Sequence, residues 1–404
     1  MLENNMPNTC PVCRASNIVS TVTRNNLVTM QNYIYKSLRE SQAANTGEFE
    51  FFVCGSCGLG FNARYDSSLV NYDENYNVYI PSAIFNNYYR EIAAFLYDKF
   101  SLKNGLVIDI ACGKGTFLEV LCGMYRDVQG LGIDPSFEAS DSNSSASNLQ
   151  FIKDVFKEEY ITNKPSLIIC RHAFEQIEHP LEFLQSIRGA LREFDATPFF
   201  IEVADLEEIV VNNAFWDLCY ERCSYWTADS LKNTLGLAGF QTESVKKASG
   251  GQYLWAFGKV TQDSSINPVF EETNSISERL AAYSLTEKNL IGGMKNRLQS
   301  LKAEGNTVAV WGMATKGVVF CNLIDAENQL IDYCIDISDT KTRCFVAHTG
   351  HQINAPDILR EVGSKKLVII VMNPNYLTEI SESCKRLGLS PKYVDASGNN
   401  LMVE

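Results

Sequence analysis

From residue 106 onward, short apolar runs alternate with stretches of helical periodicity. Leu106–Ile110, Gly130–Asp134, Leu167–Cys170 and Pro198–Val203 are brief and rich in branched or aromatic residues, as strands buried on both faces are. Between them, Phe117–Met124 and Pro180–Leu191 repeat apolar residues at helical spacing. This rhythm predicts a doubly wound α/β sheet with helices on both faces, a fold that binds ligands beyond the carboxyl ends of its strands. Asp109, Asp134, Arg171 and Glu202 fall near such ends. Ahead of the sheet, Ile92, Phe95, Leu96 and Phe100 predict a helix over Phe85–Phe100. The tyrosine-rich stretch Tyr72 to Tyr79 precedes it, and either covers a bound cofactor or packs between domains.

A second αβ pattern closes the chain. Ile276–Ala303 predicts a long helix, or a helix pair broken near Gly292-Gly293, followed by strands at Thr307–Trp311, Asp332–Ile337 and Leu367–Val371. A smaller Rossmann-like domain is expected there, after a linker around Val260–Asn274. The length of 404 residues suits several domains rather than one core. We expect three: residues 1–70, 71–260 and 261–404.

The first of these is polar and strand-like, and is too short to bury much apolar surface unaided. It carries Cys10-Pro-Val-Cys13 and Cys54-Gly-Ser-Cys57. Each CxxC pair wraps one side of a tetrahedral ion, so Cys10, Cys13, Cys54 and Cys57 together predict a closed, structural zinc site with no open position for catalysis. The stretch between the pairs, including Val28–Ser37, is expected to loop out. The thirteen cysteines are an odd number, and no apolar signal segment precedes them, which suggests a reducing compartment, the cytoplasm. The net charge of −13 argues against nonspecific nucleic-acid binding, and no apolar run is long enough to span a membrane.

The chemistry concentrates in Asp109-Ile-Ala111-Cys-Gly113-Lys-Gly115, where strand gives way to helix. An acidic residue before Gly-x-Gly repels a pyrophosphate and suits the amino-acid portion of a cofactor, which S-adenosylmethionine possesses. Asp134, ending the next strand, is placed to accept both ribose hydroxyls, and Asp154 is placed to meet the adenine amine. Capping or turn formation would explain any one of these carboxylates; their ordered recurrence favours the cofactor. Ala111 and Arg171 are assigned to the same wall.

With these motifs in place, the chain resembles the nucleotide-sugar C-methyltransferases of deoxysugar pathways. The resemblance runs on through Gly250-Gly251-Gln252, Gly312-Met-Ala-Thr-Lys316-Gly317, Asp336-Ile-Ser-Asp-Thr-Lys341 and His348-Thr-Gly350-His351. It implies a zinc-bearing N-terminal part, a Rossmann-like methyltransferase core and a C-terminal Rossmann-like domain, with a small-molecule acceptor, a nucleotide-activated sugar, between the last two.

The family's catalytic positions are altered. Gln176 stands where a histidine is expected, and Cys219-Tyr220-Glu221-Arg222-Cys223-Ser224-Tyr225 replaces Tyr-His-Glu-His-x-x-Tyr, keeping only Glu221 and Tyr225. Carbon methylation beside a ketone needs a proton acceptor and an enolate donor, so Tyr220 with Glu221 is the candidate pair. An amine or hydroxyl acceptor would need mainly alignment. Arg222 offers a cation for a carboxylate or phosphate, or else forms an interdomain ion pair. Gln176, Lys316 and His351 are assigned to the acceptor. His172, His179 and His348 are either structural hydrogen-bonders or bases. The expected activity is methyl transfer from S-adenosylmethionine; the rival reading is a noncatalytic binding protein that kept the cofactor fold.

Overall fold

Four of the five residues of Leu106–Ile110 are buried, which is what a strand covered by helices on both sides requires. In the computed structural model, which describes residues 9–78, 81–138, 148–263, 274–362 and 366–403, that strand is central to a seven-stranded sheet. From edge to edge the order is Phe240–Ala248, Tyr253–Val260, Thr197–Ala204, Leu167–Arg171, Leu106–Ile110, Gln129–Ile133 and Leu149–Ile152. Tyr253–Val260 runs antiparallel to both its neighbours, and every other pair is parallel. Chain order reverses between Leu106–Ile110 and Leu167–Arg171, and this switch point opens a crevice at the strand C-termini.

A second sheet repeats the plan on a smaller scale, in the order Ile353–Asn354, Tyr333–Ile335, Thr307–Trp311, Leu367–Val371, Lys392–Asp395 and Asn400–Leu401. All but the last pair are parallel. Its switch point lies between Thr307–Trp311 and Leu367–Val371. A third, antiparallel sheet joins Ile18–Val28, Thr46–Cys54, Gly60–Asn62 and Ser224–Tyr225. Its last strand comes from the segment just before core helix Ala228–Leu237, so the N-terminal part and the core share one sheet. No helix among the described residues is long and apolar enough to cross a membrane.

Several expectations need correction. Asn274–Ala303 is one continuous helix, with no break at Gly292-Gly293. A Cβ at either glycine would meet nothing within 4 Å. Two glycines cost about 1 kcal/mol each, too little to interrupt a helix that buries Ile276, Leu280, Tyr283, Met294 and Leu298. The stretch between the CxxC pairs is no free loop: Val28, Thr29, Met30, Gln31 and Asn32 are all buried. Tyr79 and residues 264–273 of the expected linker lie outside the described residues.

The long helix is tied to the N-terminal sheet by a buried ion pair. Arg24 sends Nε to Glu287 Oε1 at 3.0 Å and Nη2 to Glu287 Oε2 at 2.9 Å. Its remaining donors reach the carbonyls of Leu218 and Phe215 at 2.7 and 2.8 Å. Removing one partner of such a pair strands a charge in the interior. Glu287→Leu is therefore expected to cost about 3–5 kcal/mol, and Arg24→Leu added to it should cost less than the sum of the two single changes. Urea denaturation measures both, and a loss below about 1 kcal/mol for Glu287→Leu would place the pair in the range of solvated surface pairs.

Candidate functional site

The loop after the central strand builds a crevice. Ala111 (φ 59°), Gly113 (φ 58°) and Gly115 (φ 78°) all take left-handed backbone, bending the chain sharply before helix Thr116–Met124. Gly115 caps that helix without a side-chain acceptor. A Cβ at Gly115 would collide with the Phe151 ring, whereas one at Gly113 would project into open space. The crevice is a cavity of about 290 Å³ lined by Asp109, Ala111, Gly113, Asp134, Asp154 and Arg171, among others, but not by Gly115.

Its electrostatics are acidic. Asp109 is buried and its Oδ1 has no hydrogen-bond partner. Burial pushes its carboxyl up to about 8, with Arg171 opposing the shift. Asp134 accepts Gly113 N at 2.8 Å through Oδ2, and Ser136 N and Oγ at 2.7 and 2.6 Å through Oδ1. Arg171 lies over the Tyr89 and Phe117 rings and pairs with the fully buried Glu202 at 2.8 Å. An unpartnered buried carboxyl beside a second carboxylate would repel a phosphate and accept an ammonium or hydroxyls. That donor set fits S-adenosylmethionine and not a dinucleotide. Asp154 sits at the rim, already bonded to Val155 N, Tyr160 Oη and Lys157 Nζ. The Lys157 contact holds its carboxyl down at about 2.

A second cavity, of about 260 Å³, lies where the C-terminal ends of the two parallel sheets face each other. The core contributes His172, Glu175, Gln176, Glu221, Arg222 and Tyr253. The C-terminal sheet contributes Gly312, Thr315, Lys316, Asp336, Lys341 and Asn373. Tyr76, Val78, Tyr89, His172 and Gln176 line both cavities and form their common wall.

Glu221 anchors this second cavity. Its carboxylate accepts Gln31 N in a short bond, Asn32 N at 2.8 Å, Asn32 Nδ2 at 3.2 Å and Tyr76 Oη at 3.3 Å. Burial raises its pKa while these bonds pull it back. Tyr76 also accepts Gln176 Nε2 at 2.9 Å, and Asn32 Nδ2 reaches Thr315 Oγ1 at 2.8 Å. Beside this knot, Asp217 holds two cations, Arg222 at 2.9 Å and Lys316 at 3.1 Å. The buried Lys341 donates to one backbone oxygen, Met313 O, at 3.2 Å. Helix Thr315–Ile324 begins at Ala314 with no side-chain cap, leaving its first N–H groups to the cavity.

Three expected site residues stand elsewhere. Tyr220 lines neither cavity: its hydroxyl donates to Arg64 O at 3.2 Å and accepts Asp66 N at 2.9 Å, and its ring stacks on Tyr65. The chain bends at Tyr220 and Glu221, so that Glu221 and Arg222 enter the cavity while the Tyr220 ring packs on Tyr65. Tyr225 spends its hydroxyl closing the turn, accepting Cys219 N and donating to Cys219 O, both at 2.8 Å. His351 is sealed between Asp325 at 3.0 Å and Thr349 at 2.8 Å, pinning the turn that follows helix Thr315–Ile324. Tyr76, Asn32, Glu175 and Lys341 were not singled out by the sequence. Tyr76 and Lys341 had a trace in the tyrosine-rich stretch and in the Asp-x-x-x-x-Lys segment; Asn32 had none, because it arrives from the tip of a hairpin.

The four cysteine sulfurs also converge. Cys10 Sγ lies 3.7 Å from Cys57 Sγ, Cys13 Sγ lies 3.5 Å from Cys54 Sγ, and all four fall within 4.8 Å of one another. Both knuckles turn through a left-handed residue just after their second cysteine, Arg14 (φ 62°) and Gly58 (φ 74°). Four thiols at this spacing fit a tetrahedral soft cation.

Two family models match the chain. A family model described as a methyltransferase domain matches residues 84–245, and one described as the C-methyltransferase C-terminal domain matches residues 272–389. The C-methyltransferase NovU of Streptomyces niveus is 24% identical over 315 residues, 73% of each chain. Among solved structures, the N,N-8-amino-8-demethyl-D-riboflavin dimethyltransferase of Streptomyces davawensis aligns at 17% identity and TM-score 0.36, covering 44% of this chain and 55% of its own. Magnesium protoporphyrin IX methyltransferase from Synechocystis, with S-adenosylhomocysteine bound, aligns at 16% identity and TM-score 0.34, covering 44% of this chain and 84% of its own. This chain thus spans about half the length of the first of these structures. The methyltransferase domain and the C-methyltransferase C-terminal domain that the chain matches identify it as an S-adenosylmethionine-dependent methyltransferase.

Proposed function

We propose that the chain methylates a nucleotide-activated sugar, or a closely related metabolite, held between the two parallel sheets, with the division of labour 1–70, 71–260 and 261–404. The observation that carries this reading is the common wall: the cofactor crevice and the second cavity meet at Tyr76, Val78, Tyr89, His172 and Gln176. An acceptor in the second cavity therefore lies against the crevice that feeds it.

When bound, S-adenosylmethionine supplies an electrophilic sulfonium methyl group. The chain's residues bind and align around it. Asp109, with its partnerless oxygen, receives the amino group; Asp134 receives the ribose; Ala111, Gly113 and Gly115 shape the cradle; Arg171 and Asp154 border it. On the acceptor side, Glu221, Tyr76 and Gln176 contact the sugar, and Tyr220 and Tyr225 hold the Glu221 turn in place. Arg222 and Lys316, sharing Asp217, leave one positive charge uncompensated within that trio. With Lys341 and the open helix start at Ala314, they suit the phosphates of an activated sugar. Cys10, Cys13, Cys54 and Cys57 hold zinc as a structural clamp.

Three outcomes test this. Asp109 retains its proton in the fold up to about 8 but ionises near 3.8 when exposed, so unfolding releases a proton between those values and the ligand-free protein weakens as pH rises through that window. Asp109→Asn removes the effect. Its melting advantage over the parent should be absent at the acidic end and grow by about 1.4 kcal/mol per pH unit, while calorimetric affinity for S-adenosylhomocysteine falls; unchanged affinity would show the amino group is held elsewhere. Lys341→Met should weaken binding of thymidine diphosphate by about 10-fold or more, the loss of a charge-assisted contact, without altering S-adenosylhomocysteine affinity. If thymidine and uridine diphosphates fail to bind the parent, the nucleotide-sugar reading falls. Elemental analysis of protein purified without chelator should find one zinc ion per chain, lost with Cys13→Ser along with several degrees of melting temperature; zinc-free parent protein would remove the clamp.

A further inference from the structure

The three positions where the family carries histidine are Gln176, Tyr220 and Arg222, and Tyr220 points away from both cavities, which leaves open which group removes the acceptor's proton. The answer must lie on the common wall, because a base has to reach an acceptor that is also within reach of the methyl group. Of the five wall residues, Val78 has no basic atom and Gln176 carries an amide. Tyr76 and Tyr89 are phenols whose pKa values burial raises, so they hold their protons. His172 is the remaining wall residue.

Its surroundings fix it there. His172 takes a left-handed backbone (φ 55°), uncommon for a residue with a Cβ, and its N–H is tied to Glu202 O at 2.9 Å. The ring meets Tyr253 edge-to-face at 4.5 Å. Nε2 is buried and lies 3.2 Å from Glu202 Oε2, a charge contact without hydrogen-bond alignment, while the side chain as a whole remains a quarter exposed. Glu202 has no exposed side-chain surface, and Arg171, Tyr88 Oη and Trp255 Nε1 all contact its carboxylate. Burial, together with the Arg171 and Arg222 cations, pushes the imidazole down to about 4 against the pull of Glu202, so the ring is neutral at pH 7.

We propose that His172 is the proton acceptor of the methyl-transfer step, with Nε2 protonated toward Glu202 and the lone pair of Nδ1 facing the acceptor. The inference rests on the reading of the second cavity as the acceptor site. His172 takes the acceptor's proton; the electron pair freed on the acceptor forms the bond to the methyl carbon, and the pair of the broken sulfur–carbon bond stays on sulfur. The imidazolium then formed is offset by Glu202 until its proton passes to water. The family carries its histidines on the neighbouring turn and on the 219–225 segment, so this chain uses a different residue for the same proton.

The chain has four histidines, so ¹⁵N-histidine NMR of the ligand-free protein at pH 7 reads the tautomer directly, with the signals lost in His172→Asn assigning the residue. Asparagine is chosen because it tolerates left-handed backbone. An Nε2–H tautomer with unprotonated Nδ1 is expected; an imidazolium or the opposite tautomer overturns the proposal. Because His172 also lines the cofactor crevice, calorimetry with S-adenosylhomocysteine separates its two roles: for His172→Asn the loss of affinity should stay well below the loss of turnover, and a matched loss would overturn the assignment. With labelled S-adenosylmethionine and a thymidine-diphosphate 4-ketohexose, His172→Asn should lose about 10²–10⁴-fold in turnover; a loss under threefold overturns the assignment. If the parent binds S-adenosylhomocysteine but leaves the ketohexose unmethylated, the acceptor reading fails, and the tautomer measurement decides the histidine alone.

Discussion

Glu221 is the one buried carboxylate on which the arrangement of three sheets turns. It accepts two backbone N–H groups from the hairpin tip, a side-chain amide and a phenol from the chain before the core. Asn32, held by it, reaches across to Thr315 of the C-terminal sheet. Removing an isolated carboxylate from water is costly, and only a full set of donors makes it tolerable. The N-terminal sheet, the core and the C-terminal sheet supply that set or touch it at one point, which fixes where the second cavity can open.

Two doubly wound sheets each present a crevice at the carboxyl ends of their strands, and here the crevices face one another. Facing them would bring ligands held in the two crevices close together. The charges differ between the two. Asp109, Asp134 and Asp154 line the crevice of the core, while the second cavity combines Arg222, Lys316, Lys341 and an open helix start with the carboxyl groups of Glu175, Glu221 and Asp336.

Much of this was legible in the sequence, because the signals were local. The strands Leu106–Ile110 and Leu367–Val371 match their apolar runs residue for residue. The CxxC pairs bring their sulfurs together as their spacing requires. What stayed hidden was non-local. The hairpin Phe240–Ala248 with Tyr253–Val260 was visible only as a glycine turn, and Asn32 enters the site through a buried contact made far along the chain. Tyr220 misled because residue type identifies a candidate acid or base, whereas the direction of its side chain depends on neighbours: a Cβ at Gly47 would strike its ring, so the phenol fills a space that Gly47 leaves. The uninterrupted helix Asn274–Ala303 makes the same point about propensity, since packing along its length outweighs two weak residues.

The pairing of Gly60–Asn62 with Ser224–Tyr225 has a consequence for how the molecule assembles. During synthesis the four cysteines leave the ribosome early, and hairpin Ile18–Val28 with Thr46–Cys54 can form at once from local contacts. The strand at Gly60–Asn62 then waits, as an open sheet edge, until more than half of the core has been made. Closing that edge brings in the segment that carries Glu221 and Arg222. Completion of the N-terminal sheet and completion of the second cavity are therefore one late event, and a chain arrested before it would expose the edge and lack the cavity.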